Sequence, residues 1–183
     1  LEPMMAGSTG GIGSDVVNAM GYDGSGMMVA VLDTGLDTDH VAFATAPQVQ
    51  TLTLEELETR MNQVQLHAEL DGAEAAYVSG KIPYAYDYGS GEAGAEAVRD
   101  SAGHGTHVAG VIGATINNKV GISGILSKKN LYCVDCYATP KQKKSNIAVS
   151  SLMDGIVTCL DNNCKVINMS SGIEFTSKDE TAE

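Results

Sequence analysis

The sequence predicts an α/β fold, a parallel sheet with helices on both faces, and three observations carry that prediction. Apolar runs of strand length stand at "MMVAVLD" (27–33), "LYCVDCYA" (131–138) and "KVINMSSG" (165–172). The first is a continuous apolar run, as suits a strand covered on both faces. The segments between them carry helical spacing or small-residue runs, so the chain reads strand, helix, strand, helix, strand, which requires crossovers and parallel pairing.

The elements follow in order. Residues 1–26 are rich in Gly, Ser and Met and read as a surface lead-in. Their "GSTGGIG" has the glycines of a dinucleotide loop, but that loop needs a strand before it and a helix after it, and here the strand comes afterwards. The first strand ends in Asp33, and "TGLDTDH" supplies turn residues. From Thr51 to Leu70 the pattern turns helical: Leu54, Leu57, Met61 and Val64 recur at spacings of three and four, and Thr53 with Glu56 makes a capping box. "IPYAYDYGSGEAG" reads as loop or edge strand. A helix is predicted from His104 to about Thr115, with Gly105, Ala109, Gly110 and Gly113 permitting close packing. Another is predicted near 146–162, with Leu152, Ile156, Cys159 and Leu160 on one face.

With 183 residues, 43% of them apolar, the chain can bury one core. A formal charge of −12 argues against nucleic acid, whose phosphates such a surface repels, and "KQKK" (141–144) reads as a solvated loop. No run approaches the length of a membrane span, and "LEPMMAGSTGG" lacks the basic and apolar regions of a secretory signal. Four cysteines are too sparse for a disulfide scaffold, which leaves the compartment open.

The chemistry concentrates in "DSAGHGTHVAG" (100–110), which holds two of the chain's four histidines. Asp33 closes its strand at the edge where sites form in open α/β sheets, whereas Asp37 and Asp39 read as solvated turn residues. His104 opens its helix, whose positive end disfavours an imidazolium, so the ring alone tends to the neutral form that a general base requires. A buried carboxylate beside it would set the tautomer and stabilise the cation once formed. His107, flanked by Val108 and Ala109, reads as a hydrogen-bonded core histidine.

A metal hydrolase using both histidines is the rival. Helical zinc motifs place two His four apart around a Glu, and "HGTH" does neither. Cys133 and Cys136 would point to opposite faces of a regular strand and could not clasp one ion. With Cys159 and Cys164 they read as small buried residues, so no metal site is expected.

Taken in order, "VAVLDTGLDTDH", "GHGTHVAGVIGA" and "VINMSSG" resemble the subtilisin-like serine peptidases, the subtilases, from about Gly21 to Gly172. The resemblance implies a subtilisin-like fold, incomplete on its C-terminal side, and an Asp–His–Ser triad. Asp33 matches the catalytic aspartate, His104 the catalytic histidine and His107 the structural one. Ser170, Ser171 and Gly172 match the strand end that pairs with an extended polypeptide substrate, although a Leu usually stands at Ser171. The resemblance implies one partial peptidase domain over 1–183, with an insertion at about 44–98 similar to that of cell-envelope subtilases, the lactocepin and C5a-peptidase group. It implies an extracellular or cell-envelope location and is compatible with a propeptide ahead of Leu1. No cofactor is implied. The family's calcium loop has a counterpart in "NNKVG" (117–121), but Ala42 stands where the calcium Asp would be, so calcium is not expected there. The "GTSM"-type serine motif and the oxyanion-hole segment do not occur, so the chain reads as the front part of a catalytic domain, inactive without its nucleophile. A truncated subtilase-like module that holds peptides without cleaving them is the alternative.

Overall fold

Strand β1, Met28–Asp33, is buried along its whole length and anchors the architecture. The computed structural model of the chain describes residues 10–63, 70–116, 122–126, 130–135 and 149–170. β1 pairs in parallel on both sides. On one side lies β4 (Asn130–Asp135), in register from Met28↔Asn130 to Asp33↔Asp135. On the other lies β5 (Val166–Met169), from Val29↔Val166 to Leu32↔Met169. β2 (Tyr84–Asp87) adds in parallel beyond β4, and the two-residue β3 (Glu92–Ala93) folds back antiparallel on it, for an order of β3-β2-β4-β1-β5.

The period of two along β1 divides the core into two layers. Met28, Ala30 and Leu32 join Leu52, Leu57, Tyr84, Tyr86 and Cys159 on one face. Val31 joins Phe43, Ala85, Val98, Ala109 and Leu131 on the other. α2 (Leu54–Gln63) and α5 (Val149–Asp161) contribute to the first layer, and α4 (His104–Gly113) to the second. Helices therefore cover both faces, as expected. A 3-10 turn at Val41–Phe43 and two short helices, α1 (Ser14–Ala19) and α3 (Ala73–Ala76), complete the set. Among the described residues no helix is long and apolar enough to cross a membrane.

The capping box forms as read: Thr53 N–H donates to Glu56 Oε2 at 2.7 Å and Glu56 N–H to Thr53 Oγ1 at 3.2 Å. Leu57 is fully buried and Leu54 and Met61 are partly so, while Val64 lies outside the described residues. Cys159 and Cys164 are buried and not disulfide-bonded; the side chains of Cys133 and Cys136 lie outside the described residues.

Two readings need correction. "YAYD" is not a loop or an edge: β2 has a neighbour on each side. Its tyrosines alternate onto one face and bury against each other, with Tyr86 and Tyr88 ring centroids 4.6 Å apart, and Tyr88 Oη donates to Thr158 on α5. A tyrosine can line a buried layer when its hydroxyl finds such a partner. Second, Leu160 does not share the buried face of α5 but is 61% exposed. The lead-in lies at the surface, as read: α1 forms inside it with no buried residues, and Asn18 Nδ2 donates to Ile125 O at 2.9 Å. Among the described residues β5 pairs with β1 alone, which leaves its outer edge open and Val166 and Met169 half exposed.

Candidate active site

The site lies where β1 ends and α4 begins, and two glycines allow them to meet. Gly35 turns the chain at φ 109°, and a Cβ there would sit 2.3 Å from Val98 O. That proximity lets Leu36 N–H donate to Val98 O at 2.7 Å, drawing the 98–100 segment against the turn. Gly105, in the first turn of α4, faces the same turn, and a Cβ on it would lie 2.1 Å from Gly35 O and 3.2 Å from Asp33 Cβ. Only hydrogen fits in either place.

Asp100 secures this junction. Its Oδ1 accepts from Gly103 N–H at 2.8 Å, Ala102 N–H at 3.1 Å and Thr34 Oγ1 at 3.0 Å. Its Oδ2 accepts from Thr106 N–H at 2.8 Å and Thr106 Oγ1 at 2.7 Å. Thr34 Oγ1 in turn accepts from Gly105 N–H, and Thr106 Oγ1 from Asp37 N–H. Gly103, the residue before α4, has no side chain to cap it, so the Asp100 carboxylate takes the orphan N–H groups instead. Burial alone pushes Asp100 upward, but these bonds favour the anion more strongly, and its pKa falls below the usual carboxylate value.

This frame brings Asp33 and His104 together. His104 Nδ1 lies 2.6 Å from Asp33 Oδ1, which also accepts from Thr34 N–H at 2.8 Å. A carboxylate can only accept, so Nδ1 carries the proton and Nε2 of the neutral ring keeps its lone pair. The partners differ sharply in exposure: 1% for the Asp33 side chain and 52% for His104. The ring therefore has a buried anchor on one nitrogen and open space around the rest. Its pKa is raised, first by the hydrogen bond to Asp33, then by that residue's charge, with a smaller lift from Asp100.

The raised pKa has a definite sign in stability. The folded state holds the His104 proton more tightly than the unfolded state does, so the pair's contribution is fully present below about pH 6.5. It fades as pH rises through the folded-state pKa. Urea midpoints measured across this window should show wild type losing stability with rising pH relative to His104→Gln; a constant difference would contradict the linkage.

His107 requires a correction. It is exposed, not in the core, and with His40, Phe43, Thr106, Gly110 and Ile122 it lines a cavity of about 320 Å³. It follows His104 by three residues, so the two rings stand about 60° apart on neighbouring positions of α4, and it is His104 that bonds Asp33. Asp37 and Asp39 are exposed, as read. Ser170 follows β5, exposed, with its Oγ accepting from Asn168 Nδ2 at 2.8 Å; Ser171 and Gly172 lie outside the described residues. The "NNKVG" loop lies wholly outside them, and Ala42 is buried. Among the described residues, no group of three or more His, Cys, Asp or Glu is placed to hold a metal ion. Sequence reasoning missed Asp100, Thr34 and Thr106. The available signal was an Asp just ahead of a glycine-started helix, where a side chain from upstream has to cap.

Comparison with known proteins agrees with the quoted motifs. Subtilisin E of Bacillus subtilis (strain 168) is 29% identical over 161 residues, covering 88% of this chain and 31% of its own length. The thermostable alkaline protease of Halalkalibacterium halodurans is 38% identical over 84 residues, covering 46% of this chain and 21% of its own. The minor extracellular protease Epr of Bacillus subtilis (strain 168) is 38% identical over 80 residues, 44% of this chain and 12% of its own. The crystal structure of MycP1 with the N-terminal propeptide removed aligns over 86% of this chain and 35% of that one, at TM-score 0.47 and 18% identity. This chain thus spans about a third of the subtilisin it matches. The profile of the subtilase family matches residues 24–182, and the chain belongs to that family.

Proposed function

We propose that the intact protein is a serine-type endopeptidase in which Asp33 and His104 serve a serine located outside this chain. The observation that carries the reading is the 2.6 Å contact between a buried carboxylate and a half-exposed imidazole. His104 Nε2 takes the serine proton as the hydroxyl attacks the scissile carbonyl, then returns a proton to the leaving amine. Asp33 holds the ring through Nδ1 and offsets the charge on the imidazolium while it exists. The substrate is polypeptide, paired in extended form with the backbone of Ser170, Ser171 and Gly172 where β5 ends. An extracellular or cell-envelope location accords with the family, and the segment 44–98 accords with the lactocepin and C5a-peptidase group.

A second reading draws on that same strand end, "NMSSG": a module that holds extended peptides by strand addition without cleaving them. The full-length reading frame separates the two. The peptidase requires an in-frame "GTSMA"-like segment, and its serine should react with a fluorophosphonate probe in wild type but not in His104→Ala. A frame without such a segment, with peptide bound and not cleaved, would establish the module.

A further inference from the structure

We infer that Asp100 is a positioning residue for the Asp33–His104 pair, its carboxylate fastening the first turn of α4 to the turn that follows β1. This deepens the peptidase reading, on which only its activity arm rests. The inference stands on where the five donors come from. Thr34 is the residue after Asp33, while Ala102, Gly103 and Thr106 surround His104. One side chain therefore spans the two partners by a route separate from their own bond. A second link runs beside it, from Gly105 N–H to Thr34 Oγ1 and on to Asp100 Oδ1. A third runs from Asp37 N–H to Thr106 Oγ1 and on to Asp100 Oδ2.

An ordinary cap would satisfy the helix end alone. Asp100 also holds the β1 side, so its loss frees both halves of the pair. The task demands a carboxylate. Both oxygens accept, and an amide would turn an NH₂ group toward donors on one side, leaving them unpaired in a half-buried site. The ionisable groups acting on His104 are Asp33 from the end of β1 and Asp100 from the preceding loop, beside the positive end of α4 itself. Arg99 is engaged by Glu96 at 2.9 Å, with Asp37 and Asp39 also acting on it.

The test uses the full-length protein labelled with ¹⁵N-histidine. In Asp100→Asn and in Thr34→Val, the His104 titration midpoint should shift downward and its low-field Nδ1 proton signal should weaken or vanish. Thr34→Val leaves the Asp100 charge in place, so a shift there reports geometry. Thr34→Ser, which keeps the hydroxyl, should restore both readouts. In the activity arm, kcat should fall on the order of 10–100-fold with KM little changed, as for a small misplacement of reacting groups. A folded Asp100→Asn protein with unchanged midpoint and proton signal, only melting earlier, would make Asp100 a helix cap and overturn the inference. If Asp100→Asn does not fold, Thr34→Val decides by the same signals, and loss of fold in both variants also overturns it. If wild type hydrolyses no peptide, the peptidase reading fails while the spectroscopic arm still decides the role of Asp100.

Discussion

Alanine at His104 should reduce kcat of the full-length protein by about 10⁶-fold, the scale of loss when a triad histidine is removed. The reason lies in the division of labour within the pair. His104 is the half-exposed member, so in the proposed mechanism it would be the group to meet the serine proton, whereas the Asp33 side chain is buried. Asp33→Asn should cost less, about 10⁴-fold. An amide beside Nδ1 can present N–H where the carboxylate presented an acceptor, which favours the wrong tautomer without emptying the site. His107→Ala supplies the contrast. Its ring is exposed and lines a cavity with His40 and Phe43, while the bond to Asp33 belongs to His104, so activity should change by no more than a few-fold, with the melting temperature close to wild type. Steady-state kinetics on a peptide substrate, with circular dichroism to verify the fold, measures all three. If His107→Ala were the inactive variant, the roles assigned to the two histidines would be wrong.

The largest structural effect should come from a single methyl group at Gly105. A Cβ at 2.1 Å from Gly35 O cannot be accommodated by a side-chain rotation, because the obstructing atom is backbone. Either α4 or the turn after β1 has to retreat, and both carry a member of the pair. Gly105→Ala should therefore destabilise by about 3–5 kcal/mol, at the severe end for a point substitution. That is a large part of the roughly 5–15 kcal/mol by which a domain is stable. Chemical denaturation of Gly105→Ala against Gly103→Ala provides the comparison. Gly103 has open space where its Cβ would go and a positive φ of 77°, so its cost should be only the left-handed strain of about 1 kcal/mol. Equal losses at both positions would show that close approach is not what Gly105 serves.

Legibility in the sequence followed the range of the forces involved. The capping box at Thr53 and Glu56 is a contact three residues apart, and it formed as read. The strand ending in Asp33 is legible because burial on both faces demands six non-polar or terminal positions in a row. Elements decided by distant partners were harder. "YAYD" has alternation, but its place inside the sheet depends on β4 lying beside it and on Thr158 receiving the Tyr88 hydroxyl. Leu160 fits the helical face of its neighbours by sequence spacing, yet the layer that α5 packs on does not extend beneath it. His107 was misplaced for the same reason. Apolar neighbours in sequence suggested a core, but a helix buries only the stripe facing the sheet, here the side of Gly105, Ala109 and Gly113.

What could be learned from residue order alone was the identity of the pair: an Asp ending an apolar strand, and a His opening a small-residue helix. Short-range chemistry suffices for that, because strand ends and helix starts are written in local patterns. Their meeting was not written there. The sequence separation of 71 between Asp33 and His104 leaves no local signal of a 2.6 Å contact. It exists because two glycines let separate backbones touch and one carboxylate, Asp100, accepts donors from both, conditions that arise only once the sheet has brought those segments side by side.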